Sequence, residues 1–273
     1  MADAGTQTPV ALAIFAHPDD VEFTCAGTLE LLRRAGYETH YLNLADGCCG
    51  SMSEGRDATA KRRWGETRAA AQTLGAIPHP PLFHDLEIFF TDAACRKTAA
   101  VLREIGPEII LTHAARDYME DHMNTARLAQ HAAFTAGMPN YRTEPEIAPN
   151  ARPCALYHAL PHGLREPADG RRAYPAFYVG VEDVMPVRRE ALACHESQKK
   201  WLDETQGMDA YLDTMDGFAA TLGEDTGVFA RAEGFTRHLH IGLGDETTRP
   251  LETALGERVR QNPNYPNAPE QNP

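Results

Sequence analysis

Ala16-His17-Pro18-Asp19-Asp20 places one imidazole and two carboxylates within four consecutive positions. A hydrolytic zinc site needs about three protein ligands and one open position for water. His17 and Asp20, three apart across a tight turn, can converge on one ion and leave Asp19 free beside it. Pro18 fixes its own φ and biases His17 away from the helical region. The third ligand is expected in Arg116-Asp117-Tyr118-Met119-Glu120-Asp121-His122, where His122, preceded by Asp121, is the first choice. His113 and His131 are its rivals, and His113 could also end its strand facing the pocket. Asp19 and Asp20 suit a plainer role as well, capping a helix and complementing its dipole.

The elements that must position these groups follow from the apolar spacing. Val10 to Phe15 has the length and composition of a buried strand, and Val21 to Leu32 the spacing of a helix packed on a sheet. The His17 turn then sits at the carboxyl end of a strand, where open α/β sheets bind ligands. Thr39 to Leu44 predicts a second strand, followed by a polar, glycine-containing loop from Cys48 to Asp57 that is a candidate active-site loop. Ala58 to Leu74 predicts a helix stopped by Gly75, Pro80 to Leu86 a short strand, and Asp92 to Ile105 a helix closed by Gly106-Pro107. Glu108 to His113 predicts a strand, and about Asp121 to Ala136 a helix.

This alternation predicts a Rossmann-like α/β fold: a doubly wound, mostly parallel sheet with helices on both faces. Pro139 to Pro153 reads as a surface excursion. Ala155 to Leu160 and Phe177 to Val181 read as further strands, Pro186 to Leu202 as a helix, and Asp209 to Leu222 as a weaker one. No repeat or clean boundary divides the chain, so 1–273 is expected to be a single domain, with 260–273 an irregular tail.

The bulk numbers exclude several functions. Thirty-nine acids against 26 bases leave a net charge of −13, which disfavours nucleic acid and anionic membrane surfaces as partners. No apolar run approaches the ~18 residues of a membrane span, and the amino terminus has no signal-peptide pattern. The six cysteines are scattered without zinc-finger spacing, as expected for reduced thiols in a cytoplasmic protein. Symmetric homo-oligomerisation is a general expectation for soluble proteins.

His17-Pro18-Asp19-Asp20, with Glu22 and Cys25-Ala26-Gly27-Thr28-Leu29, resembles the opening of the zinc-dependent N-acetylglucosaminyl deacetylases, the phosphatidylinositol-glycan class L or LmbE-like family. The resemblance continues through Arg63-Trp64-Gly65-Glu66, Asp85, Asp117-Tyr118, Asp121-His122 and Ala193-Cys194-His195-Glu196-Ser197-Gln198. It implies that His17, Asp20 and His122 hold Zn2+ and that Asp19 is the general base on a zinc-bound water, acting on an N-acetylated amino sugar or its conjugate. It also implies that Arg63 and Asp85 line the substrate pocket and that His195 lies near its wall as a second catalytic group. Asp117 and His113 are expected among the substrate-binding residues. One position departs from the pattern: family members often carry His-Pro-Asp-His where this chain has Met119-Glu120-Asp121-His122. His113, Tyr118 and His195 are the groups that could replace the missing histidine. A hydrolase of another amide or ester, or a metal- or sugar-binding protein without turnover, would carry much the same residues.

Overall fold

The apolar run that opens the chain forms β1 (Val10–Phe15), and in the computed structural model every one of its residues is buried. The structure describes residues 8–199 and 211–265. Ala11, Ala13 and Phe15 join the apolar cluster on one face of the sheet, and Leu12 and Ile14 the cluster on the other. This is the period-two alternation of a strand covered on both sides.

After β1 come α1 (Asp20–Thr24), α2 (Ala26–Arg34), β2 (Glu38–Asn43), α3 (Arg56–Thr73), β3 (Ile77–His79), α4 (Asp92–Ile105), β4 (Ile109–Thr112) and α5 (Glu120–Thr135). Then follow β5 (Ala155–Ala159), β6 (Phe177–Gly180), α6 (Met185–Ala193), α7 (Tyr211–Thr226), β7 (Ala232–Arg237), α8 (Pro250–Leu255) and β8 (Val259–Gln261). The strands form one sheet in the order β3-β2-β1-β4-β5-β7-β6-β8. The first five pair in parallel, and β7, β6 and β8 add antiparallel pairs. β1 therefore lies between β2 and β4, where the winding reverses. At that switch point two loops part at the carboxyl ends of the strands and leave a crevice.

Local signals account for several boundaries. Thr91 caps α4 by accepting from the Ala94 amide at 3.2 Å, and Gly106, at φ 62°, closes it in the left-handed conformation. The segment from Pro139 to Pro153 has no helix or strand. It is tied down by Arg103, whose guanidinium donates to the carbonyls of Thr135, Ala136, Met138, Tyr141 and Ile147.

Four expectations need correction. The helix expected from Val21 to Leu32 is two helices, broken at Cys25 with φ −147°. Arg188 donates to the carbonyls of Glu22 and Phe23 at 2.7 and 2.8 Å, and the Gly27 amide donates to Glu233 Oε1 at 2.8 Å. In a continuous helix the Gly27 amide would instead donate to the Phe23 carbonyl. The strand expected at Pro80 to Leu86 is instead Ile77–His79, because Pro80 and Pro81 have no N–H for a ladder; beyond them only an isolated Ala45–Phe83 bridge remains. The helix expected from Pro186 to Leu202 is broken after Ala193, where the Cys194 and His195 amides fold back onto Ala191 and Leu192, and residues 196–199 are helical again; residues 200–202 lie outside the described ones. Of the expected tail, Gln261 pairs in β8 and Asn262 is buried, donating to the Pro175 carbonyl at 2.9 Å. Residues 209–210 of the last expected helix and 266–273 of the tail lie outside the described residues, and the helix runs on to Thr226.

All six cysteines are unpaired, and no helix among the described residues is long and apolar enough to cross a membrane. Arg188 is 1% exposed and also faces Glu233 Oε1 at 3.3 Å. Replacing it removes one half of a buried pair and orphans two carbonyls. Arg188→Leu should lower the unfolding free energy by about 3–5 kcal/mol, measured by chemical denaturation.

Candidate active site

The turn after β1 reaches its shape through one residue in an unusual conformation. Asp19 has φ 95°, in the left-handed region that side chains seldom adopt, and it is the N-cap of α1 without capping it through its side chain. That conformation costs of order 1–3 kcal/mol and frees the carboxylate to face away from the helix. Asp20, the first residue of α1, accepts the His17 amide at 2.7 Å and turns its carboxylate back over the end of β1. Gly47, at φ 68°, closes the opposite side, where a Cβ would lie 2.5 Å from the Arg63 guanidinium.

The two expected histidine ligands are fixed in the same way. His17 Nε2 lies 3.2 Å from both Asp85 Oδ1 and Asp121 Oδ2, and its Nδ1 lies 3.4 Å from Asp20 Oδ2. His122 Nδ1 lies 2.9 Å from Asp117 Oδ1, and its Nε2 lies 3.5 Å from Asp20 Oδ1. Each ring thus has one nitrogen tied to a carboxylate and turns the other toward Asp20. Ligand atoms of His17, Asp20 and His122 all lie within 4.8 Å of one another. Imidazoles held from behind by carboxylates are the usual surroundings of a divalent cation, so the donor set fits one.

The charge balance points the same way. Asp20, Asp85, Asp117 and Asp121 are all buried here. Burial works against the charged form of Asp20, yet His122 and His113 hold it well below the usual carboxylate range. Burial likewise opposes the charged His17, and Asp121, Asp20 and Asp85 outweigh it to raise the imidazole well above its ordinary value. Burial pushes the Asp19 carboxyl up to about 6 against the pull of Arg63, with Asp20 adding to the rise and His195 and Tyr211 opposing it.

A cavity of about 280 Å³ opens over this cluster, lined by His17, Asp19, Asp20, Arg63, Asp85 and His122, with Phe23, Cys49, Gly50, Tyr118, Met119, His162 and Gln198 among the rest of its wall. Arg63, from α3, reaches it through hydrogen bonds to the Pro18 and Gly47 carbonyls at 2.7 and 3.3 Å, and its Nη2 lies 3.8 Å from Asp19. Three expected site residues do not line the cavity, although His113 Nε2 lies 3.2 Å from Asp20 Oδ2. His113 is behind the cluster: its Nε2 accepts the Ala16 amide at 2.9 Å and its ring stacks on His122 at 4.0 Å. Burial and the neighbouring His122 push it down to about 4. Asp117 is 3% exposed and holds His122 from behind rather than lining the cavity. His195 is fully buried, with Nε2 3.5 Å from Glu22 Oε2. His131, the other rival ligand, pairs with the Tyr141 hydroxyl at 3.0 Å on α5.

Sequence reasoning missed one contact with the turn altogether. The Tyr211 hydroxyl, at the start of α7, donates to Asp19 Oδ2 at 2.6 Å. Nothing near Tyr211 in the chain signals it, since the contact spans 192 positions. Glu22 was part of the opening motif without a role; it accepts from the Tyr41 hydroxyl at 3.0 Å and faces His195.

Residues 12–133 match the protein-family model described as PIG-L: GlcNAc-PI de-N-acetylase. The chain is 29% identical over 194 residues to the diacetylchitobiose deacetylase of Thermococcus kodakarensis, covering 68% of this chain and 69% of that protein. It is 28% identical over 205 residues to the 4-oxalmesaconate hydratase of Pseudomonas putida, covering 69% and 74%. In fold it is similar to the N,N'-diacetylchitobiose deacetylase of Pyrococcus horikoshii, with a TM-score of 0.71 at 22% identity over 88% of each chain.

The carboxylate behind His122 gives a test of the cluster as a cation site. Asp117→Ala should weaken divalent-cation binding by about 10–100-fold while leaving the fold intact, measured by competition with a chelator. An unchanged affinity would exclude a supporting role for Asp117 behind His122.

Proposed function

We propose that the chain is an enzyme of the PIG-L/LmbE deacetylase type, a zinc-dependent hydrolase removing the N-acetyl group of an amino sugar or amino-sugar conjugate. The observation that carries the reading is the convergence of His17, Asp20 and His122 at the switch point, with Asp19 beside them facing the cavity. His17, Asp20 and His122 would hold the cation, which when bound polarises the amide carbonyl and makes water more acidic. Two imidazoles and one carboxylate leave such an ion with net positive charge, and the nitrogen and oxygen donors suit zinc.

The chain's own groups supply the proton transfers. Asp19 takes a proton from the water that attacks the acetamide carbonyl, forming the new C–O bond. It then returns that proton to the nitrogen as the C–N bond breaks, releasing acetate and the free amine. A carboxyl pushed up to about 6 is well matched to both steps near neutral pH. Tyr211 and Arg63 fix the carboxylate from two sides. We assign His195 a positioning role, since it sits beneath the turn against Glu22 and does not line the cavity. Of the groups considered in place of the missing histidine, only Tyr118 lines the cavity, and His162 joins it there beside Met119.

A second reading rests on the similarity to the hydratase, which is 28% identical where the chitobiose deacetylase is 29%. With Met119 at the variant position and the buried Arg63 cation lining the cavity, the same site could add water to a carbon–carbon double bond of a carboxylate substrate.

Acetate release from N-acetylglucosamine conjugates, with metal content measured in parallel, decides between the two. Wild type should release acetate, and Asp19→Ala should retain the metal and release none. Metal-loaded wild type that hydrates an unsaturated acid and leaves the acetamides intact would overturn the deacetylase reading. The general base must be ionised, so kcat should fall as pH drops through the Asp19 pKa, at about 6 or below once a cation lies alongside. Tyr211 favours the ionised carboxylate by donating to it. Tyr211→Phe should therefore move that acid limb to higher pH and lower kcat about tenfold, the value of one hydrogen bond to a charge, with KM little changed.

A further inference from the structure

We propose that Asp46, Cys48 and His84 form a second cation site, separate from the cluster around His17 and suited to a thiophilic divalent ion such as Zn2+ or Cd2+. A carboxylate oxygen of Asp46, the Cys48 sulfur and a His84 ring nitrogen lie within 4.8 Å of one another. They come from two loops that the backbone locks together. The Ala45–Phe83 bridge and the Asp46 amide, which donates to the Phe83 carbonyl at 3.1 Å, set Asp46 and His84 side by side. Gly47, at φ 68°, then turns the chain so that Cys48 returns to the same spot.

The Asp46 carboxylate is already oriented. Its Oδ1 accepts the Cys48 and Asp85 amides at 3.0 and 3.1 Å, so that Oδ2 points at His84 Nδ1, 2.6 Å away. An Asx turn with one ion pair would explain those bonds but not the sulfur that closes the triad. A shallow cavity of about 340 Å³, lined by Asp46, His84 and Glu87 among others, opens onto the two oxygen and nitrogen donors. It leaves an entry path and room for a fourth ligand such as water. Oxygen, nitrogen and sulfur donors in one set favour zinc-like ions over calcium or magnesium. Ion entry displaces the thiol proton to solvent and forms the metal–sulfur bond.

The ion would pin the loop that joins the two sites. Asp46 holds the Asp85 amide, Asp85 accepts the Cys49 amide at 3.2 Å, and Cys49 and Gly50 line the main cavity. The proposal does not depend on the reaction assigned to that cavity.

The candidate ligands at the main site contain no sulfur, so a thiolate signal that requires Cys48 and not Cys49 reports on this site. Zinc-loaded full-length protein titrated with Cd2+ should develop a cadmium–thiolate charge-transfer absorption that saturates at one added equivalent. Cys48→Ser should abolish the band, and His84→Gln, at an exposed position, should weaken uptake at least tenfold. Cys49→Ser should leave the band in place, and denaturation curves confirm that each variant is folded. A wild-type protein without the band, or a band that survives Cys48→Ser, would overturn the proposal.

Discussion

Four buried carboxylates, Asp20, Asp85, Asp117 and Asp121, press on the two imidazoles of His17 and His122 in a region almost closed to water. Taking each such charge out of solvent costs several kcal/mol unless it is paired and hydrogen-bonded. The surroundings supply that compensation from the backbone: the His17, Cys49, Met119, His162 and Leu86 amides all donate into the cluster. Those amides belong to the loops after β1, β2, β4 and β5 and to the segment after β3. The parallel half of the sheet exists, in this sense, to bring several loop ends to one point of concentrated negative charge. Such a point favours positive charge, as the raised His17 imidazole reflects.

Two features hold the turn at Asp19 against its backbone strain. From below, Arg188 and Glu233 take up the helical groups at the junction of α1 and α2, so that α1 ends after five residues and its start stays under the cavity. From the side, Arg63 bonds the Pro18 carbonyl directly. Strain of this kind persists only where the surroundings over-determine it.

Much of this was legible in the chain. The apolar hexapeptide before His17 and the Pro18 that follows it announced a strand and a turn, and both lie where expected. The capped α4 was readable from Thr91 and Gly106. The antiparallel strands β7 and β8 were not, because Glu233 and Gly234 interrupt one and the other has three residues. The break at Cys25 has no proline or glycine to mark it, since its cause is the Arg188 side chain 163 positions away. Spacing brought His113 and Asp117 close to the site, but not the face each would present. His113 spends its free nitrogen on the Ala16 amide, and Asp117 spends its carboxylate on His122. Tyr211 could be found only from the fold, because nothing local ties it to the turn.

The Tyr211 contact also divides labour along the chain. The candidate ligands all lie between residues 17 and 122, whereas a partner of Asp19 is contributed by a helix far downstream. Substitutions in that helix can therefore alter the acidity and aim of the Asp19 carboxyl without disturbing the candidate ligands. The tuning of one carboxyl is thereby separable, along the chain, from the placement of the groups beside it.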